Sequence, residues 1–111
     1  MAKFEKTLQV SFNEALHVID QGLRKSSISL TLEDGSEFSG EGARCAVLVY
    51  ERYSYMGGNR VSLTVTLFQA GDTPVKLSAI TSGGSQAVFF KLNTIGEENF
   101  LAMLEEIVRD L

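Results

Sequence analysis

The sequence predicts an α+β domain in which an antiparallel sheet of five to six strands carries both of its helices on one face. Three observations support this. Several segments alternate apolar and polar residues with the period of two that is typical of half-buried strands. Two segments instead repeat apolar residues at helical spacing, one after the first strand and one at the C-terminal end. Tight-turn residues separate the remaining strands, so the predicted order is β-α-β-β-β-β-(β)-α.

The first two elements are a strand over residues 3–10 and a helix over about 12–23. Ser11 and Glu14 have the spacing of a capping box, in which the serine hydroxyl accepts from a first-turn amide. Gly22 and the serines that follow it are predicted to end the helix. The apolar face of this helix consists of Phe12, Leu16, Ile19 and Leu23.

Four strands are predicted next, over residues 28–32, about 38–55, 61–67 and 75–79, and a short apolar piece at 87–90 is a further strand. Glu33-Asp34-Gly35, Gly57-Gly58 and the segment from Gly71 to Pro74 supply the turns. Gly40 and Gly42 are predicted to mark a bend or a bulge in the long strand.

The two hairpin turns predict which face of the sheet forms the core. A three-residue turn at 33–35 sets Leu30 opposite Phe38, and a two-residue turn at Gly57-Gly58 sets Tyr50 opposite Val65. Both place the even-numbered residues of the long strand on the core face. A slip of one residue would turn a whole strand over, so the agreement of two turns is informative.

The C-terminal helix has the strongest pattern. Thr94 and Glu97 have capping-box spacing, and Glu97-Glu98 suit the positive N-terminal end of a helix. One wide apolar stripe follows, formed by Phe100, Met103, Leu104, Ile107, Val108 and Leu111.

Composition predicts a single domain over residues 1–111, since 44% of the residues are apolar and 22% are charged. The net charge of −4, with scattered Lys and Arg, argues against nucleic acid as a partner. The longest apolar run has six residues, too few to cross a membrane, and the N-terminus lacks the core of a signal peptide. We therefore expect a cytoplasmic protein.

Motifs for catalysis are not found in the sequence. His17 is the single histidine and Cys45 the single cysteine, which cannot form a zinc site of the usual kind. Whether these two residues meet in space cannot be deduced from the sequence. The Gly-rich segment 82–86 lacks the Gly-Lys-Ser/Thr ending of a phosphate loop. We therefore predict no enzyme, no metal and no cofactor.

The segment YERYSYMGGNR, residues 50–60, contains all three tyrosines and two of the five arginines. The predicted register puts Tyr50 and Arg52 on the core face, and puts Tyr53, Tyr55 and Arg60 on the opposite face, with Tyr55 directly across from Arg60. Two interpretations fit this segment. It is either the aromatic-rich end of a hairpin or part of a binding site.

The binding interpretation depends on what else lies at that end of the sheet. Thr81 is predicted beside Leu63, and the 82–86 link follows it. The predicted binding residues for an unknown small molecule or protein are Tyr50, Arg52, Tyr53, Tyr55, Arg60, Thr81, Ser85 and Gln86. An arginine on the core face needs a partner, so Arg52 is either a structural pin or a contact for an anionic ligand.

The opposite face of the sheet, which we call the back face, supports a second hypothesis. It is rich in Ser, Thr and Lys, and apolar residues also fall on it, namely Cys45, Val47, Val49, Phe68 and Ile80. This apolar patch is either an interface, most simply of a homodimer, or is covered by the 87–90 piece. The predicted interface residues are Val47, Val49, Phe68 and Ile80, with Val47 opposite Phe68.

Two long segments, RCAVLVYERYSYMGGNRVSLTVTL and AITSGGSQAVFFKLNTIGEENF, resemble a family of short uncharacterised bacterial proteins found mainly in Firmicutes. The resemblance covers nearly the whole chain and implies a bacterial, intracellular protein with no established activity. The element order is also loosely similar to small helix-grip or TATA-binding-protein-like domains. Helix-grip domains with true cavities have longer chains, which argues against a large lipid cavity here.

Overall fold

The computed structural model describes residues 1–27, 29–53, 60–83 and 90–111, the last range without the side chains of 90–96. Five strands and two helices make up the described fold. In chain order they are β1 (Ala2–Leu8), α1 (Phe12–Ser26), β2 (Leu30–Gly40), β3 (Ala43–Tyr53), β4 (Arg60–Ala70), β5 (Val75–Gly83) and α2 (Phe90–Ile107). This confirms the predicted α+β class and the order β-α-β-β-β-β-α.

The strands form one antiparallel sheet with the order β1-β5-β4-β3-β2. Strands β2 to β5 are neighbours in sequence and in space, while β1 pairs with β5 at the far edge. Helix α1 therefore connects the two edges of the sheet. Helix α2 lies against β5, β1 and β4, and the two helices contact each other.

Both helices pack on one face of the sheet, as predicted. The core residues of β4 and β5 are odd-numbered and those of β3 are even-numbered, which confirms the predicted choice of face. The largest fully buried side chains come from both the sheet and the helix layer that covers it, namely Tyr50, Phe100, Leu8, Ile19, Leu23, Leu63, Leu67, Leu104, Val61, Val65, Val75 and Val108.

Helix α1 begins as predicted, because the Ser11 hydroxyl accepts a hydrogen bond of 3.1 Å from the Glu14 amide. It ends three residues later than predicted, at Ser26. Gly22 lies inside the helix, where it faces α2. A β-carbon at Gly22 would lie 2.8 Å from a side-chain carbon of Ile107, so the glycine is needed for the close approach of the helices.

The predicted turn at 33–35 is wrong, because β2 continues through it. A β-bulge between Leu32 and Asp34 absorbs one residue, and the Asp34 carboxylate accepts a 2.8 Å hydrogen bond from the Gly35 amide. The chain turns instead at Glu41-Gly42, whose φ angles of 54° and 77° suit a two-residue hairpin. Gly42 thus belongs to the turn and Gly40 ends β2, so the two glycines do not mark a bend or bulge within one long strand.

The bulge changes the face on which the second half of β2 lies. Phe38 pairs with Cys45, while Leu30 pairs with Arg52. Because one extra residue reverses the alternation, Phe38 lies on the back face and not in the core, as the predicted register had it. Its side chain is 66% exposed.

The register between β3 and β4 differs from the prediction by two residues. Tyr50 pairs with Leu63 and not with Val65, and Val47 pairs with Thr66 and not with Phe68. Tyr53, and not the predicted Tyr55, lies opposite Arg60. An even shift preserves the faces, which explains why β3 and β4 face the core as predicted although their pairing differs. The predicted turn at Gly57-Gly58 lies outside the described residues.

Helix α2 begins at Phe90, four residues before the predicted cap at Thr94. Glu97 therefore lies within the helix, where it is buried and forms an ion pair with the Met1 amino group. The predicted strand at 87–90 falls outside the described residues, apart from Phe90 in the helix. At the other end of α2, the Lys6 ammonium donates hydrogen bonds to the carbonyls of Val108 and Arg109, at 2.7 and 2.8 Å.

The turn at Glu41-Gly42 leads to a prediction about stability. Glu41 holds a positive φ, which asparagine tolerates better than glutamate. We expect Glu41→Asn to raise the free energy of unfolding by about 0.5 kcal/mol. Chemical denaturation of both proteins measures this. Glu41→Gln is the control, since it removes the same charge without favouring the left-handed region, and a gain of equal size in this control would contradict the explanation.

Candidate functional site

The predicted binding cluster is divided between the two faces of the sheet. Tyr50, Arg52 and Thr81 lie on the helix-covered face, whereas Tyr53 and Arg60 lie on the back face. This division confirms the predicted faces. The remaining predicted members, Tyr55, Ser85 and Gln86, are outside the described residues.

Tyr50 is fully buried, and its hydroxyl donates a 2.7 Å hydrogen bond to the carboxylate of Asp20 on α1. The same carboxylate accepts from Arg24, one turn further along the helix, at 3.0 Å. Burial, and then the hydrogen bond to Asp20, raise the pKa of Tyr50 above its ordinary value. These contacts fasten α1 to the centre of the sheet, so Tyr50 serves the fold.

Thr81 and Arg52 also contact neighbouring elements. Thr81 is fully buried, and its hydroxyl exchanges hydrogen bonds with the backbone amide and carbonyl of Ala2, at 3.2 and 3.3 Å, which ties β5 to β1. The guanidinium carbon of Arg52 lies 5.1 Å from the centre of the Phe100 ring on α2, a cation–π distance. Partial burial lowers the pKa of this guanidinium.

On the back face, Arg60 joins its two strand neighbours. It forms a 2.9 Å ion pair with Glu51, donates a 3.0 Å hydrogen bond to the Tyr53 hydroxyl and lies 4.8 Å from the centre of the Tyr53 ring. The hydrogen bond to Tyr53 contributes most to raising the pKa of Arg60. The predicted Tyr–Arg pair therefore exists with Tyr53 in place of Tyr55.

The back face has rows of side chains that run across the strands, because paired residues of an antiparallel sheet point to the same side. The first row consists of Phe38, Cys45, Phe68, Lys76 and Thr7. The second consists of Ser36, Val47, Thr66, Ser78 and Glu5, and the third of Asp34, Val49, Thr64, Ile80 and Lys3. Thr31, Glu51, Ser62 and Ser82 form a fourth row.

Apolar exposure is concentrated on this face. Within the described part of the chain, five large apolar side chains are exposed, and four of them lie here, namely Phe38 (66%), Tyr53 (52%), Phe68 (42%) and Ile80 (39%). Cys45, Val47 and Val49 are partly exposed between them. A shallow groove of about 190 Å³ follows the row of Phe38, Cys45 and Phe68. The predicted interface residues thus share one open surface.

The structure separates the residues that could have formed a Cys-His pair. Cys45 lies on the back face, whereas His17 is exposed on the helix layer, on the other side of the sheet. No group of three or more His, Cys, Asp or Glu residues that could hold a metal ion occurs among the residues described. Within those same residues, neither helix is both long and apolar enough to cross a membrane.

Comparison with known proteins gives a family and no activity. The model of a family of unknown function, DUF6054, matches residues 1–111. The chain belongs to this family. No match to the sequence is found among curated proteins. Membership of DUF6054 agrees with the resemblance to uncharacterised proteins, and it leaves the function to be inferred from the surface described above.

Two features of the back face do not emerge from the sequence pattern. The pattern places Phe38 in the core, and it does not show that the charges of Lys3 and Asp34, at opposite edges of the face, belong to one row. The exposure of Phe38 had one signal in the sequence, Asp34-Gly35, because an aspartate beside a glycine within an apolar–polar alternation also suits a bulge. The shared row of Lys3 and Asp34 had no such signal, because it depends on the order of the strands in the sheet.

The contact between Tyr50 and Asp20 leads to a prediction about stability and pH. We expect Tyr50→Phe to lower the free energy of unfolding by about 1 kcal/mol at neutral pH, because one buried hydrogen bond is lost. Asp20→Asn is the matched control and should cost less, since an amide oxygen still accepts from the hydroxyl. Denaturant titration measures both.

The same contact fixes the sign of the pH dependence. Because the pKa of Tyr50 is raised in the folded state from an ordinary value of 10.0, its stabilisation is complete below pH 10 and is lost as the pH rises further. The advantage of the wild type over Tyr50→Phe should therefore shrink above pH 10. An advantage that grows with alkaline pH would contradict the proposed contact.

Proposed function

We propose that this protein is a non-enzymatic interaction module that pairs with a second copy of itself through the back face of its sheet. The observation that carries the proposal is the concentration of apolar exposure. Four of the five large exposed apolar side chains in the described residues lie on the face opposite the helices. Exposed apolar groups gathered on one face are typical of interaction surfaces, whereas single scattered ones are ordinary.

The dimensions of the face suit a protein partner. Five strands about 4.8 Å apart and roughly 30 Å long present about 700 Å², close to the roughly 800 Å² that each partner buries in a stable complex. The groove along Phe38 and Phe68 is shallow, as on a surface that packs against another surface. A sheet that packs face to face against a second sheet buries such alternating side chains at a spacing of about 10 Å.

A second copy is favoured over an unrelated partner by the distribution of charge. The β1–β5 side of the back face carries Lys3, Lys76 and one carboxylate, Glu5, and the β2–β3 side carries Glu33, Asp34 and Glu51. The central strand β4 presents Thr64, Thr66 and Phe68 between them. A face whose two sides carry opposite net charge is complementary to its own copy.

The dimer is tested by its mass and by one substitution. We expect sedimentation or light scattering to give about twice the monomer mass of 12.1 kDa at micromolar concentration. Val47→Glu should weaken assembly at least roughly tenfold, because it places a charge inside the interface, between the partly exposed apolar residues Cys45 and Val49 of the same strand. Thermal unfolding of the variant at low concentration shows whether the monomer remains folded.

Asn13→Glu is the control for the substituted charge, since Asn13 is exposed on α1 on the other side of the molecule. It should leave the mass unchanged. A wild type that stays monomeric at every concentration would contradict the proposal, and so would a Val47→Glu variant that dimerises as strongly as the wild type.

A second candidate function is binding of a small anion at Arg52. One observation favours it, because this guanidinium is partly buried on the helix-covered face and lies against the Phe100 ring. Partial burial strengthens the attraction between a cation and an anionic ligand. Arg44, at the other end of the same strand, lies 4.2 Å from the Phe12 ring and is paired with Glu37 at 2.9 Å. The two arginines therefore form a matched comparison.

We expect Arg52→Met to lower the free energy of unfolding by about 1 kcal/mol through loss of the cation–ring contact. If Arg52 also binds an anion, then phosphate or citrate should raise the melting temperature of the wild type and of Arg44→Met, but not that of Arg52→Met. Thermal unfolding at constant ionic strength measures this. Equal shifts in all three proteins, or none, would leave Arg52 with its structural contact alone.

A further inference from the structure

We propose that the dimer has its two-fold axis along the central strand β4, so that Lys3 of each copy pairs with Asp34 of the other. This inference rests on the proposed pairing of back faces and specifies its geometry. It follows from the strand order, the rows of paired residues and the signs of the charges at the two edges.

Symmetry and the aligned packing of two sheets together leave two directions for the axis of a face-to-face dimer, parallel or perpendicular to the strands. Two identical faces meet only if the two-fold axis lies in the plane between them, because that rotation turns one sheet over onto the other. With an axis parallel to the strands, each row of one copy faces the same row of the other copy, and the strands of the two copies follow in opposite order. With the order β1-β5-β4-β3-β2, it lays β1 over the partner's β2, β5 over the partner's β3, and β4 over itself.

This axis brings opposite charges together at both edges of the dimer. Lys3 on β1 and Asp34 on β2 belong to the same row, which also contains Val49, Thr64 and Ile80. Lys3 therefore meets Asp34 of the second copy, and the symmetry gives this contact twice. Sheets packed about 10 Å apart and rotated by about 30° shift the outer strands by a few ångströms. The long side chain of lysine spans such a shift.

The apolar residues agree with the same axis. In the row of Lys3 and Asp34, Val49 on β3 meets Ile80 on the partner's β5, again twice. On β4, which lies on the axis, Phe68 meets Phe68 of the second copy. The 42% exposure of Phe68 and the 39% exposure of Ile80 are then removed together.

Most of the other charges of the face meet uncharged residues in this arrangement. Glu5 meets Ser36, Lys76 meets Cys45 and Glu51 meets Ser82. Arg60 lies at the end of β4 and meets Arg60 of the second copy, and each of these arginines is paired with Glu51 of its own chain. Within the four rows listed above, no like-charged pair is created among the described residues.

An axis perpendicular to the strands is disfavoured by the same charges. If it passed through the row of Lys3 and Asp34, each strand would cover its own copy, so Lys3 would meet Lys3 and Asp34 would meet Asp34. Phe68 would then meet Arg60, because the two residues lie equally far from that row on β4. Like charges placed opposite one another across an interface are destabilising.

Exchange of the two charges tests the axis. In Lys3→Glu the introduced glutamate meets Asp34, and in Asp34→Lys the introduced lysine meets Lys3, so we expect each single variant to dimerise at least roughly tenfold more weakly than the wild type. The double variant Lys3→Glu/Asp34→Lys restores both pairs and should regain the wild-type affinity. The dissociation constants are measured by sedimentation at low salt, where charge effects are largest.

A mixture of the two single variants provides the sharpest measurement. In the mixed dimer, the glutamate introduced by Lys3→Glu in one chain meets the lysine introduced by Asp34→Lys in the other, while the unaltered Lys3 and Asp34 form the second pair. The mixture should therefore form heterodimers far more readily than either variant forms homodimers. Lys25→Glu and Asp110→Lys, which change the same charges at exposed positions away from the back face, should have no effect.

The outcomes separate this inference from the proposed function. Restored affinity in the double variant and in the mixture supports the axis along β4. A wild-type dimer whose affinity is unchanged by the single variants, or not restored by the combination, overturns the axis and leaves the back-face dimer standing. A wild type that is always monomeric overturns the proposed function and this inference together.

Discussion

The packing of two helices on one face of a five-stranded sheet is the constraint on which the rest of this structure depends. Burial of apolar area is the dominant favourable contribution to folding. Within the described residues the apolar core lies on one side of the sheet, where β3, β4 and β5 supply residues such as Tyr50, Leu63 and Leu77 to the helices. Because successive strand residues point to opposite faces, every residue placed in the core leaves its neighbours on the other face. One-sided burial therefore creates both the core and the open back face.

Polar residues on the helix-covered face are used to hold the layers together. Tyr50 reaches Asp20 on α1, Thr81 joins β5 to β1, and Lys6 binds the carbonyls of Val108 and Arg109 directly after α2. Each of these groups would be costly to bury without a partner, and each connects two elements that are distant in sequence. The back face differs, since its hydroxyl and apolar side chains extend from the sheet and neither of the described helices lies above them. This contrast between the two faces supports the proposed function of the back face.

A single irregularity of β2 determines much of the character of that face. Without the bulge between Leu32 and Asp34, Phe38 would point to the helix side, and Asp34 would not share a row with Lys3. The extra residue reverses the alternation for the rest of the strand. It thereby exposes an aromatic side chain next to Cys45 and Phe68 and places a carboxylate at the edge of the face. Bulges are more often part of a functional design than defects of a strand.

The sequence by itself determined the fold class, the element order and the faces of β3 to β5, because alternation and helical spacing are local properties and an even error in register does not change a face. It also separated Tyr50 and Arg52 from Tyr53 and Arg60. Only the tertiary structure decided that Glu41-Gly42 is the turn, that Phe38 is exposed and that Glu97 is buried against Met1. These outcomes depend on how the long β2–β3 hairpin pairs and on where α2 meets β1. Such contacts join residues far apart in the chain, and no local pattern specifies them.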